Sequence, residues 1–449
     1  MSFMDSLNDL SKGIVDFNSS LQTIPAGTQL FSKRPEIFSP ERWPTYYVKA
    51  KGITIWDKYG DKYLDMSHMG VGSCILGYAN KNVDRAVKKT ISRGVQSTLI
   101  ATQELELAQE LLDIHKWADM ARFARSGGEA MSIAVRIARV ASGKDKVFFS
   151  GYHGWNDWYL AANLAEEDQL QNVLLPGLSA QGVPVGLAGT AIPFEFNNLE
   201  MFEDLFTRHK GTIAAIVMEP RRSEPAIPGF LERIRKLCDE NSIVLIFDEI
   251  TTGWRGNVGG IHLQGTVTPD LAVFAKSMSN GYAMSAVIGN ESVMSAASSS
   301  FVSSTNWSER VGPTAALATI RYYAKNRVDE HILNIGETVQ KGWLECAKSS
   351  NLDLSVNTFG LPSLSSFSFN YPFARGLNIE FTNRMLDKGW LAHNQFKPSY
   401  AHETRIVEKY LNDALVVFQE LSTLISKSED LLVQKSRKYP APSIPRLTR

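Results

Sequence analysis

The sequence has no excess of charge of either sign, because 47 Lys and Arg residues balance 47 Asp and Glu residues. Without a basic excess we do not expect a nucleic-acid-binding protein. Its three cysteines, Cys74, Cys238 and Cys346, are too few and too widely spaced for a zinc motif or a disulfide framework, which is typical of a reducing compartment. We therefore expect no metal site.

Long apolar runs are also missing. No run approaches the roughly 20 residues that a membrane-spanning helix needs. The first residues, MSFMDSLNDLSKG, lack a basic segment followed by an apolar one, so no signal peptide is recognised. The sequence therefore predicts a cytoplasmic protein that acts on small molecules, without nucleic-acid or membrane partners.

The length of 449 residues predicts more than one domain. Apolar runs alternate with amphipathic segments in the middle of the chain, which indicates an α/β fold with a mostly parallel sheet between helices. We expect an N-terminal arm and hairpin in residues 1–70, a large domain in residues 71–313, and a linking helix, a smaller α+β domain and a tail in residues 314–449.

The most informative stretch is residues 243–276, IVLIFDEITTGWRGNVGGIHLQGTVTPDLAVFAK. Two apolar runs, each typical of a buried strand, end on Asp248 and Lys276. Charges at the carboxyl ends of strands lie where α/β sheets bind ligands. A Lys for a Schiff base and an Asp for a ring nitrogen suit pyridoxal phosphate (PLP). Taken singly, Lys276 could be a solvated loop residue and Asp248 a helix cap or a metal ligand.

Three other predicted strand ends carry polar or glycine residues. The segment SGGE at residues 126–129 forms a capping box whose glycines let an anion approach a helix N-terminus. Tyr152 follows a second strand and could stack on a planar ring, and Glu219 ends a third. Each has an ordinary alternative: many capping boxes bind nothing, such an aromatic often packs in a core, and a strand-end carboxylate often bonds locally.

Together and in this order, these segments resemble the class III PLP-dependent aminotransferases of fold type I. The closest resemblance is to glutamate-1-semialdehyde aminomutase and its aminotransferase relatives, from about Ile24 to Leu421. GITIWDKYGDKYLDM is similar to the family's N-terminal hairpin, and RFARSGGEAMSIAVRIAR to its phosphate loop and helix. IVMEP, IFDEITTGWR and PDLAVFAKSMSNG are similar to its three cofactor strands. The resemblance implies a PLP cofactor in the large domain.

The resemblance also implies the roles of individual residues. Lys276 forms the Schiff base with the cofactor and carries protons, and Asp248 keeps the pyridine nitrogen protonated so that the ring accepts electrons. Gly127 and Gly128 bind the phosphate through their N–H groups. Tyr152 stacks on one face of the ring.

Two further cofactor residues follow from the same resemblance. Glu219 is expected near the substrate and the ring oxygen. In this family a Thr in the loop after the lysine strand binds the phosphate of the neighbouring subunit, and SSTNW offers Thr305, with Ser304 as the alternative. The resemblance therefore implies a homodimer in which each active site is built from both chains.

The sequence departs from the family pattern at three places. The phosphate loop has Gly128 where the family more often has Thr, so that one hydroxyl donor is missing. The aminomutases have a Trp after the hairpin, where this chain has His68 and Met69. Their anion-binding Arg lies in a loop similar to QLFSKRP, which makes Arg34 a candidate substrate residue, and His153 is a second candidate.

We therefore expect an aminotransferase that moves an amino group between an amino donor and a carbonyl metabolite. A polar and aromatic set favours a hydroxylated or sugar-like carbonyl: His68, His153, Trp155, Trp307, Glu309 and Arg310. The alternative is intramolecular transfer of the glutamate-1-semialdehyde 2,1-aminomutase type, which uses the same lysine and ring. A PLP-fold protein recruited for binding or regulation would be expected to lack the lysine or the aspartate, and both are present.

Overall fold

The computed structural model describes residues 15–164, 179–221, 224–358 and 360–440. The chain forms two compact units, one of residues Lys81–Asp329 and one of Met1–Asn80 together with Glu330–Arg449. These boundaries differ from those expected after residues 70 and 313, and the second falls inside a helix. In the described part of the chain, no helix has the length and apolar character needed to cross a membrane.

The strands are numbered in chain order. They are β1 Tyr47–Lys51, β2 Thr54–Asp57, β3 Lys62–Asp65, β4 Met120–Ala124, β5 Lys146–Ser150, β6 Ala191–Pro193, β7 Ile213–Met218, β8 Val244–Asp248, β9 Leu271–Phe274, β10 Ser285–Gly289, β11 Leu354–Val356, β12 Ser365–Phe369, β13 Trp390–Leu391 and β14 Gln395–Phe396.

The α-helices are named by their bounds. Among them are Pro35–Phe38, Lys81–Ile91, Thr102–Ile114, Gly127–Ser142, Asp157–Leu160, Leu199–His209, Phe230–Asn241, Glu291–Met294, Val311–Lys325, Val328–Ser349, Ala374–Asp387 and Thr404–Lys438.

The unit Lys81–Asp329 is built on a sheet that has seven strands within the described residues, in the order β4-β10-β9-β8-β7-β5-β6. Strand β10 is antiparallel to both of its neighbours, and the other strands run in one direction. Strands β7 and β8 are buried along their whole length, which is why their sequences are continuous apolar runs. The carboxyl ends of the parallel strands therefore meet at one edge, as predicted.

Both faces of this sheet are covered by apolar side chains. The helix Gly127–Ser142 packs its apolar face on one side, with Met131, Ile133 and Ile137 in the core. Helices Leu199–His209 and Phe230–Asn241 contribute to the core on the other face. This layered arrangement fixes the strand ends that carry the candidate site.

The unit of Met1–Asn80 and Glu330–Arg449 is a smaller α+β assembly. One of its sheets has the order β1-β2-β3-β13 and the other the order β11-β12-β14. Helix Ala374–Asp387 packs on helix Thr404–Lys438, and their shared core contains Trp343, Phe381 and Phe418. The predicted smaller α+β region is therefore present.

Candidate active site

Asp248 ends strand β8 in the large sheet and is only 3% exposed. The backbone N–H of Ile250 donates to its Oδ1 at 2.9 Å, and Nδ1 of His153 lies 2.8 Å from its Oδ2. The other ring nitrogen of His153 lies 3.1 Å from the carbonyl oxygen of Ser150. Each carboxylate oxygen therefore has one partner and keeps a further lone pair with which to accept from a ligand.

Lys276 directly follows Ala275 at the end of β9, and its backbone has a φ of 46°, which a residue with a Cβ rarely adopts. Its partly buried side chain donates from Nζ to Oγ1 of Thr251 at 2.8 Å. Burial lowers the pKa of Lys276, while the charges of Asp248 and Glu219 oppose that change and the charge of Arg255 adds to it. Burial thus shifts the amine towards the neutral form that acts as nucleophile or base.

Glu219 comes directly after strand β7, which pairs in parallel with β8 up to Met218 and Phe247. It therefore reaches the same edge of the sheet as Asp248. Both carboxylates act electrostatically on the amine of Lys276. The structure thus brings together three of the residues predicted from separate strand ends.

The helix Gly127–Ser142 begins with the predicted capping box. The hydroxyl of Ser126 accepts from the N–H of Glu129, and the N–H of Ser126 donates to the Glu129 carboxylate at 2.8 Å. This box uses neither the N–H of Gly127 nor that of Gly128. Backbone donors at the start of this 16-residue helix suit an anion such as a phosphate group.

Neither glycine of this segment could carry a side chain without displacing a neighbour. A Cβ on Gly127 would lie 2.9 Å from Cδ1 of Ile250, and a Cβ on Gly128 would lie 3.0 Å from Oδ1 of Asn156. Gly127 therefore packs against the loop that begins at Asp248. This close packing connects the helix N-terminus with the rest of the candidate site.

Tyr152 follows strand β5 and is 46% exposed. Partial burial raises the pKa of its hydroxyl, and the charge of Asp248 raises it further. Its ring meets that of Tyr159 edge to face, with centroids 6.0 Å apart. A half-exposed aromatic ring near Asp248 has the surface needed to stack on a planar ligand.

Thr305 begins a short exposed turn, Thr305–Ser308, in the same unit. The side chain of Gln96 donates to its carbonyl oxygen at 2.9 Å. Arg125 donates to the carbonyl oxygen of Trp307 at 2.8 Å, and Nε1 of Trp307 donates to Glu129 at 3.3 Å. The turn is thereby attached beside the capping box, and Thr305 itself is exposed.

The placement of the two candidate substrate residues differs from the expectation. Arg34 pairs with Glu36 at 2.7 Å and lies over the ring of Phe17, so a substrate carboxylate would have to displace Glu36. His153 is 1% exposed, and both of its ring nitrogens face protein acceptors. The contact of His153 with Asp248 was not predicted from the sequence, because no pattern of neighbouring residues indicates that a loop residue is buried.

Nothing in the sequence indicated how the loop after Asp248 is held. Glu249 is fully buried, and its Oε1 accepts from the backbone N–H and the Nδ1 of His262 at 2.9 and 2.8 Å. Thr252 donates its hydroxyl proton to the other oxygen. The adjacent hydroxyls of Thr251 and Thr252 were a possible signal, but only the fold assigns one to Lys276 and the other to Glu249.

The family model described as "Aminotransferase class-III" matches residues 38–415. The chain belongs to the class III aminotransferase family. It is 28% identical over 404 residues to the 3-aminobutyryl-CoA aminotransferase of Cloacimonas acidaminovorans, which covers 88% of this chain and 91% of that protein. It is 32% identical over 321 residues to the 2'-deamino-2'-hydroxyneamine transaminase of Streptomyces kanamyceticus, with 71% and 76% covered.

A solved structure supports the fold assignment. The PLP internal aldimine form of the FumI protein of Sphingopyxis sp. MTA144 has a TM-score of 0.83 and 23% identity, and covers 93% of this chain and 98% of that chain. The predicted fold type I architecture is therefore confirmed. Enzymes of the class III family use PLP, so the predicted cofactor and enzyme class are confirmed as well.

The residues at the sheet edge fit this cofactor. Asp248 keeps lone pairs for a ring N–H, and burial lowers the pKa of the Lys276 amine. The helix start at Gly127 and Gly128 offers backbone donors to a phosphate, and Tyr152 offers a half-exposed ring. Among the described residues, no group of His, Cys, Asp and Glu has the arrangement of a metal site.

Proposed function

We propose that this aminotransferase moves an amino group between an amino donor and a hydroxylated or sugar-like carbonyl compound, with Lys276 and Asp248 as its catalytic residues. The observation that carries the residue assignment is the convergence of Lys276, Asp248, Glu219 and Gly127 at one edge of one sheet. The substrate class is supported by the similarity to the Streptomyces relative, a hydroxyneamine transaminase.

When bound, PLP supplies a conjugated ring that accepts the electron pair of the bond broken at the substrate carbon. Lys276 would remove the proton from that carbon and donate it to the cofactor carbon that receives the amino group. A neutral amine is required for the first step, and burial of Lys276 favours that form. Asp248 provides the negative charge that holds the ring nitrogen in its protonated form.

His153 acts behind Asp248 rather than on the substrate. With Nδ1 donating to Oδ2 of the carboxylate, it fixes the orientation of the side chain and stabilises its charge in a buried place. Gly127 and Gly128 bind the phosphate through N–H groups, and Tyr152 covers one ring face. Glu219 is proposed to interact with the substrate and the ring oxygen.

The substrate side favours transfer to a separate acceptor. An intramolecular aminomutase has to retain its intermediate, which requires a firm anchor for the substrate carboxylate. The candidate anchor, Arg34, is paired with Glu36. A hydroxylated carbonyl compound without a carboxylate does not need that anchor, since hydroxyl groups are recognised by neutral hydrogen-bonding side chains. The aminomutase reaction is a distant alternative.

The proposed enzyme is a homodimer in which Thr305 of one chain reaches the phosphate of the other. The support is the high exposure of three apolar side chains in the same unit: Leu99, Ile100 and Phe301 are 81%, 84% and 87% exposed. Gln96, three residues before Leu99, bonds Thr305. Adjacent apolar side chains as exposed as Leu99 and Ile100 favour a surface for a protein partner. The cytoplasmic location stays a prediction.

The test combines labelling with substrate screening. Borohydride reduction of the PLP-loaded protein, followed by peptide mass analysis, is expected to give one label per chain, on Lys276. The reduced protein is then compared with untreated enzyme on a panel of amino donors, with a keto-aminoglycoside, a 3-oxoacyl-CoA and glutamate-1-semialdehyde as acceptors. We expect the keto-aminoglycoside to react fastest, and only in the untreated enzyme.

Two results would contradict the proposal. A label on another lysine would remove Lys276 from its role. Conversion of glutamate-1-semialdehyde to 5-aminolevulinate without any external donor would establish the aminomutase reaction instead.

A further inference from the structure

Thr251 is a hydrogen-bond partner of Lys276 that was not predicted from the sequence. Its Oγ1 accepts a hydrogen bond of 2.8 Å from Nζ of Lys276. Within the described residues, no hydrogen bond joins this amine to the carboxylate of Asp248, which acts on it through its charge alone. The hydroxyl of Thr251 is therefore the group that holds the lysine amine where it lies in this structure.

The lysine needs such a partner because its side chain is long and flexible. Ordering four rotatable bonds costs conformational entropy, which a directed hydrogen bond at a partly buried place offsets. The backbone of Lys276 adopts a left-handed φ of 46°, so the chain already directs the start of the side chain. Thr251 fixes its far end.

We propose that Thr251 is a positioning residue, whose hydroxyl holds the amine of Lys276 whenever that amine is not bonded to the cofactor. This inference rests on the proposed function, which makes Lys276 the residue that bonds PLP. The amine has to return to the cofactor and to carry protons in each cycle. A displacement of about 1 Å at such a group can cost a large part of the rate.

The neighbouring threonine provides a matched control. Thr252 lies in the same loop, but its hydroxyl donates to Glu249 and not to Lys276. Replacing either Thr by Val keeps the shape and removes one hydroxyl. Thr251→Val removes the partner of the amine, whereas Thr252→Val removes a contact that supports the loop. Thr251→Ser keeps the hydroxyl and serves as the rescue variant.

The experiment measures how fast Lys276 bonds PLP. The full-length chain is stripped of cofactor with hydroxylamine and returned to PLP. The amine nitrogen then bonds the aldehyde carbon and one water leaves, which is followed by visible absorbance and by borohydride trapping of the Lys276 peptide. In parallel, competitive labelling of the stripped chain with acetic anhydride reports the reactivity of Lys276 against pH, independently of activity.

We expect Thr251→Val to bond PLP about three- to tenfold more slowly at saturating PLP, the range for losing one hydrogen bond. The pH dependence of Lys276 labelling should shift in this variant. The rate at which Thr251→Ser bonds PLP should stay within about twofold of the wild-type rate. Thr252→Val should lower thermal stability without slowing the bonding step. Thr251→Ala replaces the Val variant if that protein fails to fold.

The inference is overturned if Thr251→Val bonds PLP at the wild-type rate, if the Ser variant is as slow as the Val variant, or if Thr252→Val is slowed equally. Failure of the proposed function is distinct from all of these, because it would appear in the wild-type protein as a borohydride label on a residue other than Lys276.

Discussion

His153→Phe tests whether the buried imidazole is needed to hold the Asp248 carboxylate for the cofactor. The ring is surrounded by Phe149, Trp158 and Tyr159, with ring centroids 5.9 to 6.4 Å away, so the substituted ring has aromatic neighbours. The substitution removes the hydrogen bond to the Asp248 carboxylate and also the contact with the carbonyl oxygen of Ser150.

The size of the effect follows from burial. Donor and acceptor lie 2.8 Å apart, and His153 and Asp248 are 1% and 3% exposed, so solvent does not screen the contact. A hydrogen bond to a charged group contributes about 1.5–3 kcal/mol in such a place. We expect His153→Phe to weaken PLP binding by about 10- to 100-fold, since every 1.4 kcal/mol or so is a factor of ten.

The assay is the dissociation constant of PLP, measured by absorbance titration of stripped protein, with urea unfolding of the same samples. His262→Phe is the matched control, because His262 makes the same 2.8 Å contact with the adjacent carboxylate of Glu249. This control should lower stability but leave PLP affinity within about threefold. If His153→Phe keeps wild-type affinity, or if both variants lose affinity equally, the role assigned to His153 is wrong.

Asp248→Asn should retain most PLP but lose at least ~10²-fold in turnover, because a preorganised charge is removed; turnover within threefold of wild type would contradict this. Thr305→Ala should lower PLP affinity about fivefold in a protein that sediments as a dimer; a fully active monomer would exclude a shared site. Burial lowers the pKa of His115 to about 4 from 6.5, so its contribution to stability is complete above about 6.5 and is lost as the pH falls towards about 4. Between pH 7 and pH 5, the free energy of unfolding measured in urea should fall less in His115→Leu than in wild type. An equal fall in both proteins would contradict this prediction.

Much of the fold was predictable from the chain itself. Strands β7, β8 and β9 are buried along their length, and the apolar run of each ends at a charged residue, which is Glu219, Asp248 or Lys276. The capping box at Ser126 is a local pattern, since its hydrogen bonds join residues three apart. These signals need no knowledge of distant residues, which is why they identified Lys276, Asp248 and the glycine pair.

What the sequence by itself determined is therefore the order of the elements, the family and the residues that end the central strands. Only the tertiary structure decided that His153 lies behind Asp248, that Arg34 pairs with Glu36, and that Thr251 holds Lys276. The physical reason is that each of these side chains has several possible partners in the sequence, and the conformations of the loops determine which one it contacts. Which hydroxyl or carboxylate a side chain reaches depends on how the loops after different strands come together at one edge of the sheet, and no local pattern carries that information.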